Sequence, residues 1–159
     1  MPRLKALTLV ELTVSIAITV MLTALSIPLF KNERGDNLAL KEAELVASYI
    51  ESARSMAQHP DNENAVKYTV ISDTLGNKLS IKRYVVKPGQ AGVEEPVSTK
   101  MPLTLSRSKA VIPGTGLDFY TLSGEYRDSP VTIRVVLDSN SRINKGIAIS
   151  KPGVINVTQ

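Results

Sequence analysis

"ALTLVELTVSIAITVMLTALSIP", residues 6–28, decides how the rest of the chain is read. It is apolar enough for a bilayer, yet Glu11 stands near its start, and residues 7–30 hold no other charge. A carboxylate in a membrane span costs about 2.5–3.5 kcal/mol. As a helix, residues 7–30 extend about 36 Å, slightly more than a hydrocarbon core of about 30 Å. Arg3 and Lys5 precede the run. The positive-inside rule keeps them in the cytoplasm and places the remainder across the membrane.

Three readings compete for this segment. A cleavable secretory signal has an apolar core of about 7–15 residues ending in a small-x-small site; this run is longer and no such site follows. A plain single-span anchor accounts for the length. It leaves Glu11 unexplained and makes the hydroxyls of Thr8, Thr13, Ser15, Thr19, Thr23 and Ser26 incidental. A third reading makes the helix a packing element too. Were the chain cut after Ala6, Leu7 would carry an α-amino group, and Glu11 would lie one helical turn further on. A carboxylate in a first turn is favoured by the helix dipole, and a buried carboxylate is tolerable when it has a cationic partner.

"KALTLVELTVSIAITVMLTALSIP" closely resembles the class III signal of type IV pilins and pseudopilins. That pattern has a short basic leader, a small residue, an apolar helix, Glu at the fifth mature position and often Pro at the twenty-second. Counting Leu7 as the first, Glu11 is the fifth and Pro28 the twenty-second. The usual Gly before the cut is Ala6 here, and the usual Phe after it is Leu7. The resemblance implies cleavage between Ala6 and Leu7 by a prepilin peptidase, N-methylation of Leu7, and packing of the helix into a filament core. Glu11 would there neutralise a neighbouring subunit's N-terminus.

Pro28 removes one helical hydrogen bond and kinks or ends the helix. Gly35 weakens the helix in "KNERGDN", residues 31–37, where Asp36 or Asn37 offers a new cap. The helix therefore either continues with a bend or breaks in two. "NLALKEAELVASYIESARSMAQHP" is amphipathic: Ala39, Ala43, Val46, Ile50, Ala53 and Ala57 recur at spacings of three and four. Lys41, Glu42, Glu44, Glu51 and Arg54 are assigned to other faces, and Pro60 stops the helix. The small-residue stripe reads as a face packed on a sheet.

Beyond residue 60 the pattern turns to period two. "AVKYTVIS" and "KLSIKRYVV" predict strands joined by the turn "DTLGN". "KPGQAGVEEPVSTKMP", 87–102, reads as an exposed loop, and short strands are expected at 103–106 and 109–112. "LDFYT" follows "PGTG", and "VTIRVVL" puts Val131, Ile133, Val135 and Leu137 on one face. "INKGIAIS" and "VINVT" read as a closing hairpin. The fold class is α+β, with a long N-terminal helix packed on a small antiparallel β-domain. The order of these parts resembles minor pseudopilins and minor pilins of the GspH/FimT class. In that class a helix ends near "ARSMA", a Phe-to-Gly stretch stands where "FYTLSG" does, and a Gly-led strand closes the chain where "ISKPGVINV" does.

Composition limits the chemistry. The 159 residues include no cysteine and one histidine, His59, beside Pro60. Disulfides, thiol catalysis and Cys-based zinc sites are excluded. "PDNENA", 60–65, alternates acidic and amide oxygens without the spacing of a calcium loop, and reads as a polar connector. Glu94 and Glu95 sit together in the Pro/Gly loop, where adjacent acids are solvated. "GQAGVEE" lacks the Lys of a phosphate loop. The expectation is no enzyme, no cofactor and no metal.

Net charge is +4; outside the first thirty residues it rests on 17 basic and 14 acidic side chains. Lys78, Lys82 and Arg83 lie on or beside one hairpin, and Arg107 with Lys109, and Arg142 with Lys145, near turns. These seven are the candidate DNA contacts. Aromatic residues are 4% of the chain, which offers no obvious stacking platform for single strands.

The expected organisation is a leader at 1–6, a transmembrane and filament-core helix at 7–30, its amphipathic continuation at 31–59, and a β-domain at 60–159. The expected function is a structural subunit, a minor one, of a type IV pilus or a type II secretion pseudopilus. Its partners would be the prepilin peptidase, other pilin or pseudopilin subunits, the inner-membrane assembly platform and, before assembly, the membrane. It would cross the cytoplasmic membrane once, N-terminus inside and β-domain outside. The alternatives are a DNA-binding minor pilin of a DNA-uptake pilus, or an anchored β-domain that never polymerises.

Overall fold

The computed structural model describes residues 9–97, 100–112, 116–126 and 130–158. One helix, α1, runs from Leu9 to Gln58. Nine strands follow: β1 Ala65–Ser72, β2 Lys78–Val85, β3 Val93–Pro96, β4 Leu103–Thr104, β5 Ser108–Val111, β6 Leu117–Tyr120, β7 Val131–Leu137, β8 Asn144–Ile149 and β9 Ile155–Thr158. The fold is α+β. The chain divides into two compact units with the boundary between Gly35 and Asp36. The helical assignment is continuous through Pro28 and Gly35. A proline removes one backbone donor, and the turns on either side keep theirs.

The second unit holds two antiparallel sheets. The first has the order β3-β2-β1-β6, with β4 sharing the β3 edge of β2. The second has the order β5-β7-β8-β9. Ala39, Ala43, Val46, Ile50, Ala53 and Ala57 are all fully buried, as their spacing predicts. From Ala43 onward they join one core with Tyr68, Val70, Leu79, Leu117 and Phe119 of the first sheet and Ile133, Val135, Ile147 and Ile149 of the second. Alanines on this stripe let the helix backbone lie close to the sheets, because each side chain is a single methyl group.

Val131 is half-buried, and Ile133, Val135 and Leu137 are buried, on one face of β7. β8 and β9 form the closing hairpin, with Gly153 in the left-handed region at φ 81° in the turn. Three expectations need correction. The segment 87–102 is not all loop, since β3 pairs with β2 through Lys82↔Pro96 to Val85↔Val93. Glu94 and Glu95 are therefore strand residues with basic partners rather than loop acids, and Glu94 remains exposed to solvent. The strand expected at 103–106 is the two-residue β4, and the one expected at 109–112 lies at Ser108–Val111.

Glu42 is the other correction. It does not lie on an open face; it is 6% exposed. The fully buried Ser108 donates its hydroxyl hydrogen to Glu42 Oε2, and Ser106 Oγ approaches Oε1 at 3.5 Å. A buried carboxylate is tolerated only with donors directed at it. Glu42→Ala orphans the Ser108 hydroxyl and should cost about 1–3 kcal/mol. Replacing both partners together, Glu42→Leu with Ser108→Ala, should cost less than the two single changes summed. Urea unfolding of the four chains measures this, and strict additivity would show that the contact is not coupled.

Candidate functional site

Leu9–Ser26 is the one stretch of the described helix long and apolar enough to cross a membrane by length and composition. None of its side chains is buried. Leu9, Met21 and Leu25 are 79%, 72% and 68% exposed. Glu11 is its acidic residue in the first turn. The hydroxyls have an internal explanation. Thr13 Oγ1 donates to the Val10 carbonyl (2.9 Å), Ser15 Oγ to Glu11 (2.8 Å), Thr19 to Ser15 (2.8 Å), Thr23 to Thr19 (2.8 Å) and Ser26 to Leu22 (2.8 Å). Each spans three or four residues, so the polar hydrogens are absorbed by the helix's own backbone. Ala6 and Leu7, the expected processing positions, lie outside the described residues. Pro28 lies within the helical backbone.

In the second unit, polar contacts hold α1 to the sheets. Near its start there Asp36 pairs with Lys145 at 3.6 Å, and Glu42 receives the Ser108 bond. Arg54 bonds Glu51 at 3.1 Å and the Pro152 carbonyl at 3.4 Å. At the C-terminus the Leu122 N–H donates to the Ala57 carbonyl (2.8 Å), satisfying an acceptor the helix cannot. Leu122 does so in a left-handed conformation, φ 70°, which costs a non-glycine residue on the order of 1 kcal/mol. Gly124 must stay small in the same turn, because a Cβ there would sit 2.5 Å from Gln58 Cγ.

Just beyond the helix, Asp61 joins three elements. It accepts from the Tyr68 hydroxyl and pairs with Arg83 at 3.0 Å, and Arg83 also bonds Glu95. The connector "PDNENA" thus supplies a structural acid. Burial, with the hydrogen bond to Asp61 second, pushes the Tyr68 pKa from 10.0 up to about 12. A folded-state pKa above the unfolded one means the fold retains the proton. The stability this contributes is complete below pH 10 and lost as pH rises through about 12. Lys67, raised by its hydrogen bond to Asp118, acts in the same direction. The urea midpoint should therefore fall between pH 10 and 12, and fall less in Tyr68→Phe. An unchanged midpoint across that range would rule out this linkage.

The seven basic candidates are divided between both sheets. Lys78 and Lys82 lie on the open face of β2, alternating with the buried Leu79 and Ile81, while Arg83 pairs with Asp61. Lys109 is on β5, Lys145 on β8, Arg107 just before β5 and Arg142 in the β7–β8 turn. Four are ion-paired: Lys82 with Glu94 (3.3 Å), Arg83 with Asp61 and Glu95, Lys109 with Asp138 (3.7 Å) and Lys145 with Asp36. Sequence reasoning missed Glu42, Ser108 and Asp61 as anchoring groups. Their partners lie across the fold, and no local spacing marks them. Among the described residues, no group of three or more metal-ligating side chains could hold a metal ion.

A long apolar N-terminal helix that continues as the spine of an antiparallel β-domain is the type IV pilin and pseudopilin fold. The structure is similar to the minor pseudopilin EpsH from the type 2 secretion system of Vibrio cholerae, at 12% identity and TM-score 0.52, covering 76% of this chain and 95% of that one. It is similar also to the type IV minor pilin FimU of Pseudomonas aeruginosa, at 19% identity and TM-score 0.52, covering 76% and 92%. No family model and no curated protein sequence matches the chain, so the likeness is one of fold.

Proposed function

We propose that the chain is a structural subunit, a minor one, of a type IV pilus or type II secretion pseudopilus, and not an enzyme. The observation that carries this is the apolar, unburied Leu9–Ser26 helix with an acid in its first turn, leading a domain of pilin fold. In this reading residues 1–6 are a leader removed by a prepilin peptidase, and Leu7 becomes the N-methylated first residue. The helix at 7–30 holds the subunit in the cytoplasmic membrane, N-terminus inside, until the assembly platform passes it into a filament. The helix from 31 to 59 and the β-domain from 60 to 159 then stand outside. Glu11 pairs with the ammonium of a neighbouring subunit. The DNA-contact reading has less support, because four of the seven basic candidates already have acidic partners.

Intact mass and N-terminal sequencing of the protein from membranes with an active prepilin peptidase test the reading. The expected product starts at Leu7 and has 153 residues (159 minus 6), with one added methyl group. An uncut chain starting at Met1 would favour the plain anchor.

A further inference from the structure

The first sheet turns one face to the helix and leaves the other half-exposed, and register collects chemistry on that open face. Lys67 of β1 lies opposite Tyr84 of β2 on one side and opposite Tyr120 of β6 on the other. Tyr84 in turn lies opposite Glu94 of β3. The row across the sheet is thus Glu94, Tyr84, Lys67, Tyr120. The next row is Pro96, Lys82, Thr69, Asp118. Between them runs the row Glu95, Arg83, Tyr68, Phe119, of which Tyr68 and Phe119 are buried in the core and Arg83 and Glu95 pair with each other.

The two rows are held in place by their own contacts. Lys67 Nζ lies 2.5 Å from Asp118 Oδ2 and 5.8 Å from the Tyr84 ring centroid. Thr69 donates to Asp118 Oδ1 at 2.5 Å, and Lys82 pairs with Glu94 at 3.3 Å. Gly92 passes close to the Tyr84 hydroxyl, and a side chain there would meet the end of the ring. Two tyrosines about 10 Å apart, two strand spacings, thus flank a charge-neutral patch of donors and acceptors.

We propose that this face binds a neutral oligosaccharide, Tyr84 and Tyr120 stacking on sugar rings while Lys67, Thr69 and Asp118 meet the hydroxyls between. A pyranose has an apolar C–H face and a rim of groups that both donate and accept. It can join existing Lys–Asp and Lys–Glu pairs without breaking them. Tyrosine supplies rigid amphipathic contact area at low entropic cost. A single-stranded nucleic acid would also stack on the rings. Its phosphates would meet Asp118 and Glu94, and Lys67 and Lys82 are already neutralised, so the counterion-release drive is missing.

The full chain in detergent micelles should be titrated with cellotetraose, chitotetraose and maltotetraose, and separately with oligothymidylate at low salt, by calorimetry and NMR. At least one sugar is expected to bind saturably, with shifts confined to β1, β2 and β6. Tyr84→Ala and Tyr120→Ala should each weaken it about tenfold, a change of about 1.4 kcal/mol, while Tyr84→Phe and Tyr120→Phe, which keep the ring, bind nearly as wild type. No binding by any sugar, shifts elsewhere on the wild-type chain, or binding of oligothymidylate alone would overturn the proposal. The experiment needs no filament, so its outcome is separate from that of the subunit reading.

Discussion

Glu11→Ala should leave the chain in the membrane and nearly absent from filaments. In lipid the wild-type carboxylate carries a cost of about 2.5–3.5 kcal/mol. In the proposed filament a neighbour's α-ammonium would relieve it, and that relief would be a driving force for leaving the bilayer. Alanine has neither the cost nor the relief, and it strands the neighbour's ammonium without a partner. The lost drive corresponds to a drop in incorporation on the order of a hundredfold. Immunoblots of sheared filaments and of membranes from the same cells measure it. Equal signal in the membranes with a depleted filament fraction is the expected pattern. Undiminished incorporation would show that Glu11 does not drive assembly.

Phe119→Ala should cause the largest loss of stability. Phe119 is fully buried on β6, lies opposite Tyr68 of β1, and packs on the Tyr126 ring with centroids 6.0 Å apart. Truncating a buried phenylalanine costs roughly 3–5 kcal/mol, because neighbours fill the space only in part. That is a large share of the roughly 5–15 kcal/mol that holds a typical domain folded. The thermal midpoint of the full chain, followed by circular dichroism, should fall by roughly 10–20 °C. A fall of only a few degrees would mean that the ring is not central to the core. The membrane fraction should still contain the variant, since Leu9–Ser26 is untouched.

Much of this fold was legible because its signals are local. The spacing of Ala39, Ala43, Val46, Ile50, Ala53 and Ala57 is a helical period, and all six are buried. "AVKYTVIS" gave β1 to the residue, and "VTIRVVL" gave β7. The strand β3 was hidden because "VEEP" has no apolar alternation; β2 holds it through cross-strand pairing and the Lys82–Glu94 and Arg83–Glu95 pairs. Glu42 was misplaced for a similar reason, since its donor Ser108 is 66 residues away. For the candidate site, Glu11 and its helix could be read directly. The pairing of Tyr84 with Tyr120 across Lys67 could not, because register joins residues that no sequence window contains together.

The hydroxyl ladder of Thr13, Ser15, Thr19, Thr23 and Ser26 has a mechanical meaning. Each proton is already given to a carbonyl of the same helix. Leaving lipid for a bundle of like helices would then require no directional bond to be broken in one medium and remade in the other. The hydroxyls therefore impose no bonding requirement on the neighbours of the segment in either medium. Such hydroxyls fix no register against neighbouring helices. A single charge at the segment's tip would set where it stops.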